Sequence, residues 1–224
     1  MRTLLKLVAV LLVLGVGADI AARSYAQGRI ASMLATSLEL DADPEVEIGG
    51  WPFLTHALGG SLPTLEAGIG RLRVRGITLD DARIELRDVT FSPSRVLAGD
   101  TGSVRAANGT GRVVLDEQGL RELLAREGAP FTIAIERGRL TARSDELGRS
   151  MTADASIRGS ALVIALDEPL SDVTIDLPQV AGGITYRAVR VRDATLELEL
   201  RLDRKALDLD AGSRRGSSTA RARR

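Results

Sequence analysis

The chain begins with an apolar run, residues 7–18, that contains no charged side chain and follows Arg2 and Lys6. A basic start followed by an apolar run of this length is typical of a signal peptide. Counted over residues 4–20, the run approaches the roughly 20 residues that span a bilayer. We therefore predict that residues 1–18 are a signal peptide or a signal anchor, and that the rest of the chain is exported.

Residues 19–38 carry apolar side chains at helical spacing and predict the first helix. Asp19 is its predicted N-cap, and the segment 41–44 ends it at a proline. The predicted apolar stripe consists of Ile20, Ala22, Ala26, Ile30, Met33, Leu34 and Leu38. Small-residue motifs that end at Ala18 and Ala26 both resemble cleavage sites. Because a cut after Ala26 would divide this helix, the pattern favours cleavage after Ala18 or none.

The stretch from Gly49 to Gly60 holds the only Trp and the only His of the chain, between two glycine pairs. Val46 and Ile48 alternate with glutamates before it, which predicts a strand, and Pro52 suits the start of a short helix. Two interpretations stay open. The apolar side chains of this turn either plug the core or form an apolar lip beside a ligand cavity.

Beyond Gly60 the pattern has mostly period 2, which is typical of half-buried strands joined by short turns. The pattern slips at Asp88, which suggests a bulge, and Asn108-Gly109-Thr110 is either a glycosylation sequon or, more often, a tight turn. The predicted strands cover residues 65–74, 84–91, 104–113, 131–136, 140–144, 151–158, 161–166, 173–177, 184–191 and 194–202.

One helix interrupts these strands, with Asp116 as its predicted N-cap and Gly128 as its end. The elements together predict an α+β fold, in which one long, strongly curved antiparallel meander wraps around the N-terminal helix. Residues 19–210 form this domain, and residues 211–224, rich in Gly, Ser, Ala and Arg, form a disordered tail. If apolar side chains outnumber what the helices cover, a lipid-sized groove remains.

The net charge of zero is unevenly distributed. Residues 1–18 carry +2 and residues 211–224 carry +5, so residues 19–210 carry −7. An acidic body argues against nucleic-acid binding, which needs a basic face. The basic tail is either a solvated end or a contact with anionic lipid.

Candidate chemistry is sparse. Cysteine is absent, which excludes disulfides, thiolate metal sites and cysteine nucleophiles. His56 has no partner at dyad or ligand spacing, and neither a nucleophile elbow nor a phosphate-binding loop occurs in the sequence. We therefore predict a protein that is not an enzyme and uses no cofactor or metal.

The first helix and the turn around Trp51 resemble the LmeA-like phospholipid-binding proteins of the actinobacterial cell envelope. The resemblance rests on Asp19-Ile20-Ala21-Ala22, Gly49-Gly50-Trp51-Pro52-Phe53-Leu54-Thr55, Ala57-Leu58-Gly59-Gly60 and Gly111-Arg112-Val113-Val114-Leu115. It covers residues 19–202. It implies a tubular lipid-binding type of fold with an apolar cavity, a periplasmic or outer-surface location, and phospholipid binding without turnover.

Two functions from different classes follow: a monomeric carrier or sensor of phospholipid, or an exported scaffold with a filled core. The resemblance favours the first. Its partners would be phospholipid and a membrane surface, contacted through the N-terminal segment and the basic tail. The residues predicted to contact lipid are Trp51, Phe53, Leu54, Leu58, Ile84, Leu86, Phe91 and Leu120.

Overall fold

The structure is a computed structural model that describes residues 2–40, 42–74, 77–98, 104–129, 131–144, 148–166, 172–177 and 184–202. Its helices are α1 (Arg2–Leu38), α2 (Phe53–Leu58), α3 (Pro93–Leu97) and α4 (Glu117–Arg126). Its strands are β1 (Glu45–Ile48), β2 (Ser61–Ile69), β3 (Leu72–Val74), β4 (Ile77–Leu79), β5 (Asp81–Thr90), β6 (Arg105–Asp116), β7 (Thr132–Glu136), β8 (Arg139–Ser144), β9 (Arg149–Arg158), β10 (Ala161–Leu166), β11 (Val173–Asp176), β12 (Ile184–Arg192) and β13 (Thr195–Leu202). The predicted α+β class with antiparallel strands is confirmed.

The strands are divided between sheets. One sheet has six strands in the order β1-β2-β5-β6-β13-β12, a second has five in the order β11-β10-β9-β8-β7, and β3 pairs with β4. The five-stranded sheet is a meander in chain order, as predicted. In the six-stranded sheet, β6 pairs with β13 and not with β7, the next strand in the sequence. Helix α4 follows β6 directly, and the strands β7 to β11 that come next form the five-stranded sheet.

The chain divides into two compact units. Within the described residues, each unit has its own apolar core. Of the described residues, those up to 67 and those from 85 to 107 form the first unit, and those from 68 to 84 and from 108 to 202 form the second. The predicted disordered tail, residues 211–224, lies outside the described residues.

Helix α4 covers the core of the second unit. Asp116 caps it as predicted, because the Asp116 Oδ1 atom accepts a hydrogen bond from the Gly119 N–H at 2.7 Å. Glu122 accepts another from the Thr78 N–H at 3.0 Å, which ties α4 to β4. Leu120 is completely buried. The buried core consists of Leu115, Leu120, Leu123, Leu124, Phe131, Ile133, Ile135, Leu140, Ala142, Ala153, Leu162, Ile164, Ile175, Leu177, Leu196 and Leu198.

Gly119 brings the backbone of α4 against β4, so we expect Gly119→Ala to destabilise the protein. A Cβ at this position would lie 2.3 Å from the Thr78 carbonyl oxygen, so one backbone would have to move. We expect a loss of about 1–3 kcal/mol in the free energy of unfolding, measured by urea titration. The control is Gly28→Ala in α1, where a Cβ meets nothing within 4 Å and alanine should stabilise the helix by up to about 1 kcal/mol. A stabilising Gly119→Ala would contradict the close packing.

Two local predictions have different outcomes. Asp88, where the alternation slips, has a left-handed backbone with φ of 51° inside β5, which is consistent with an irregular strand. The prediction of a turn at Asn108-Gly109-Thr110 is wrong, because these residues lie within β6. Gly109 pairs with Leu202 and Thr110 with Arg201, so the ladder with β13 overrides a local turn preference.

Strands β12 and β13 of the second unit carry charged side chains that form ion pairs. Arg190 of β12 pairs with Glu199 of β13, and Arg192 pairs with Glu197 at 3.7 Å. Leucines at positions 196 and 198 alternate with these glutamates and are buried, which confirms the predicted alternation of β13. Burial also raises the pKa of the Tyr186 phenol, so this half-buried side chain stays neutral at physiological pH.

Candidate functional site

Helix α1 runs without interruption from Arg2 to Leu38, so the apolar run and the predicted helix 19–38 form one element. Large apolar side chains between residues 4 and 16 are exposed. The helix is long and apolar enough to cross a membrane. Signal sequences can have a similar length and apolar character. Asp19 lies in the middle of α1, so the prediction that Asp19 caps this helix is wrong.

Asp19 instead caps helix α2. Its side chain is buried, and the residue is only 5% exposed. The Oδ2 atom accepts a hydrogen bond from the Phe53 N–H at 2.9 Å, and Oδ1 accepts one from the Leu54 N–H at 2.7 Å. These N–H groups have no partner within their own helix, and Pro52 at the N-cap position supplies no capping side chain. Two charge-assisted hydrogen bonds therefore hold α2 on α1.

Two glycines pack the turn before α2 against β2. The Gly49 N–H donates to the Thr64 carbonyl at 2.9 Å, and a Cβ on Gly49 would lie 1.9 Å from Thr64 Oγ1. Gly50 has a φ of 96°, in the region that favours glycine, and its Cβ would lie 2.8 Å from the Pro63 ring. The turn is therefore held on one side by α1 and on the other by β2.

This fixed turn exposes two large apolar side chains. Trp51 is 69% exposed and Leu58 is 78% exposed, whereas Phe53 between them is buried. The peptide bond from Trp51 to Pro52 is cis. Single exposed apolar residues are ordinary on a protein surface. Here, however, two stand at opposite ends of one short helix whose position is fixed by hydrogen bonds.

The core of the first unit is small and only partly covered. Its buried members are Ile48, Phe53, Leu62, Val89 and Ala106, and the partly buried apolar residues that pack on them are Ala22, Ala26, Ile30, Leu54, Ala57, Leu65, Leu86, Phe91 and Val104. We call this set the first-unit cluster. Among the described residues, its nine partly buried members outnumber its five buried ones, while the core of the second unit has sixteen buried members and eleven partly buried ones. The cluster of the first unit thus has a higher proportion of partly buried apolar residues than the core of the second unit.

The described residues offer no cluster of three His, Asp or Glu side chains that could hold a metal ion. His56 lies on α2 and is half-buried, with its ring Cδ2 atom 3.2 Å from where a Cβ on Gly50 would be. The ring therefore fills space beside the turn, and the local surroundings are apolar.

A model of a protein family described as LmeA-like phospholipid-binding matches residues 17–216, which is most of the 224-residue chain. The chain belongs to this family. The resemblance carried by the turn around Trp51 is thereby confirmed. No curated protein and no solved structure matched the chain significantly.

Four of the residues predicted to contact lipid in this LmeA-like protein lie together in the first unit. Phe53 is buried in the first-unit cluster, and Leu54, Leu86 and Phe91 are partly buried against it. These four side chains come from α2, from β5 and from the segment after β5, so the fold unites positions that are distant in sequence.

The other four predicted residues have different surroundings. Trp51 and Leu58 project from the turn into solvent. Ile84 and Leu120 belong to the second unit, where Ile84 is half-buried and Leu120 is part of the closed core. Lipid contact by any of the eight stays a prediction, and the four in the first-unit cluster are the ones that the LmeA-like fold brings together.

Sequence reasoning missed Asp19, which is central to this site. A usable signal existed: α2 begins after Trp-Pro, which provides no capping side chain, and Asp19 is the first acidic residue after the apolar run. The predicted apolar stripe is also wrong at Ile20, which is exposed. Because successive helical residues are turned by about 100°, placing Asp19 toward α2 turns Ile20 away from it.

Proposed function

We propose that this LmeA-like protein is an exported, non-catalytic phospholipid-binding protein of the cell envelope, which holds acyl chains against the first-unit cluster for lipid carriage or sensing. Membership of a phospholipid-binding family across residues 17–216 carries the proposal. The half-covered apolar residues of the cluster support it, because they provide a surface that gains from further burial.

Acyl chains suit this surface chemically. Burying a chain gains about 0.8 kcal/mol per methylene group and needs no directional polar contact. Aliphatic side chains and Phe91 make up the partly buried layer, and the described residues include no metal-binding cluster. Such a surface favours binding of a lipid without any chemical reaction of the lipid.

The packing of α1 argues against cleavage after Ala26, and we propose that the N-terminal segment is retained as an anchor. Asp19 caps α2, and Ala22 and Ala26 pack on the first-unit cluster, so a cut after Ala26 would remove all three from the fold. Arg2 and Lys6 would keep the short N-terminal end in the cytoplasm and place the rest of the chain outside.

The proposal is tested by native mass spectrometry of the full chain, released from detergent after purification from bacterial membranes. We expect adducts with the masses of phospholipids, which organic extraction should then release. A clean protein mass that stays unchanged after incubation with phospholipid vesicles would overturn lipid binding. It would favour the alternative function, an exported scaffold with a filled core.

A matched pair of substitutions on α2 locates the bound chain. We expect Leu54→Asp to abolish the phospholipid adduct, because Leu54 packs on the first-unit cluster and an unpaired charge there repels an acyl chain. Leu58→Asp makes the same change four residues later on an exposed side chain, and should keep the adduct. Circular dichroism checks that both variants fold. Folded Leu54→Asp protein that still carries lipid would contradict this location.

A further inference from the structure

We propose that α2 lies in the interface of the bilayer that α1 crosses, with Trp51 and Leu58 inserted at the boundary between headgroups and hydrocarbon. The proposal rests on the proposed retention of α1 as a membrane anchor. It assigns these two side chains to the bilayer itself, rather than to a phospholipid molecule held by the protein.

The length of the apolar run sets the depth of Asp19. From Leu4 to Asp19 the helix rises about 22 Å, at 1.5 Å per residue. The hydrocarbon core of a bilayer is about 30 Å thick. With the N-terminal end of α1 at the cytoplasmic face, Asp19 therefore lies about 8 Å inside the opposite edge of the hydrocarbon, which is within the roughly 5–10 Å to which interfacial helices insert.

An ionised carboxylate at that depth is costly unless it is paired. The N–H groups of Phe53 and Leu54 satisfy both oxygens of Asp19 and exclude the side chain from lipid. Because these hydrogen bonds are 2.9 and 2.7 Å long, the start of α2 lies at the same depth as Asp19. The capping contact thus places α2 at the membrane interface.

The composition around α2 fits this position. Residues 48–65 contain no Asp, Glu, Lys or Arg, although 27% of the whole chain is charged. Tryptophan is the residue type enriched at membrane interfaces, where its ring meets hydrocarbon and its N–H meets headgroups. The only Trp of the chain stands exposed here on a turn that is fixed by hydrogen bonds and glycine packing.

Because Trp51 is the only Trp, its fluorescence reports on this position alone. The full chain is reconstituted into phosphatidylglycerol–phosphatidylethanolamine vesicles, with lipids brominated either near the carbonyl end or near the methyl end of the acyl chain. Iodide in the water quenches exposed indoles. Two ruler proteins carry Trp51→Phe with either Leu12→Trp, in the middle of the apolar run, or Met33→Trp, about 21 Å further along α1 from Asp19 and beyond the headgroups. Leu12 and Met33 are both exposed.

We expect bromine near the carbonyl end to quench Trp51 more strongly than bromine near the methyl end, and the Leu12→Trp ruler to show the reverse. Iodide quenching of Trp51 should be at least roughly twofold weaker than quenching of the Met33→Trp ruler, as for an interfacial indole. On transfer from vesicles to detergent, the bromine quenching of Trp51 should disappear.

Several results would overturn the proposal. Iodide quenching of Trp51 equal to that of the Met33→Trp ruler would place α2 in water. Shielding from iodide without bromine quenching would mean that a protein surface, such as a second copy of the chain, covers Trp51. Bromine quenching that survives transfer to detergent would assign Trp51 to a tightly held lipid, and an unquenched Leu12→Trp ruler would show that α1 does not cross the bilayer.

Lipid extraction from the detergent-purified protein, before it is reconstituted into vesicles, separates this proposal from the proposed function. Phospholipid that co-purifies while Trp51 stays accessible to iodide would overturn the interfacial position and leave lipid binding standing. Interfacial quenching without co-purifying phospholipid would support the position of α2 and overturn binding of lipid by the protein.

Discussion

Replacement of Leu120 by alanine is expected to lower the free energy of unfolding by about 2–5 kcal/mol. Leu120 is completely buried among the leucines and isoleucines of the second-unit core, so truncation removes apolar burial and leaves a cavity. Urea unfolding of the full chain in detergent micelles, followed by circular dichroism, measures this loss. The amount of phospholipid per folded molecule should stay unchanged, because the core around Leu120 is already filled.

The control for this prediction is Leu58→Ala, the same substitution on a side chain that is 78% exposed. It should change the free energy of unfolding by no more than about 0.5 kcal/mol. If Leu120 lines a lipid site instead, Leu120→Ala should lower the phospholipid content and leave the stability of lipid-free protein nearly intact. That result would return Leu120 to the lipid-contacting residues.

Asp19→Ala is expected to lower the free energy of unfolding by about 2–4 kcal/mol, since it removes two charge-assisted hydrogen bonds and leaves two N–H groups without an acceptor. Urea unfolding followed by the fluorescence of Trp51 is a suitable measurement, because Trp51 lies two residues before Phe53 on the affected turn. Phospholipid binding should fall in parallel, as Phe53 and Leu54 lose their fixed positions in the first-unit cluster.

Two further variants test the cause of this effect. Asp19→Asn keeps one acceptor oxygen and turns a second donor toward an N–H group, so it should recover no more than about half of the lost stability. Asp43→Ala removes the same charge from an exposed position and should be close to neutral. Equal losses for Asp19→Ala and Asp43→Ala would mean that charge, rather than the cap on α2, stabilises the protein.

The parts of the fold that were predictable from sequence depend on local signals. Asp116 and Gly128 bracket α4, and leucines alternate with charged residues along β13, so both elements follow from spacing alone. The meander from β7 to β11 was predictable as well, because its connections are short and consecutive strands pair. At the site, the distinctive turn around Trp51 is enough to indicate the family from the sequence alone, and the match of the family model to residues 17–216 confirms it.

What was missed depends on contacts between distant positions. Strands β6 and β13 pair with each other although all five strands of the other sheet lie between them in the sequence. No local pattern encodes such a partner. The cap from Asp19 to α2 spans 34 residues, so it resembles neither a capping box nor any other motif of fixed spacing. Asp19 therefore looked like the beginning of a helix when it lies inside a longer one.

The first-unit cluster has a consequence for the biogenesis of the protein. Val89, Phe91, Val104 and Ala106 belong to this cluster, so it cannot be completed until the chain has been made as far as residue 106. At 5–20 residues per second, synthesis from Asp19 to that point takes roughly 4–17 s. Throughout this time the motif that ends at Ala26 is not yet packed. In the proposed export of the chain, cleavage after Ala26 would therefore compete with completion of the cluster, and faster completion would keep α1 intact at this motif.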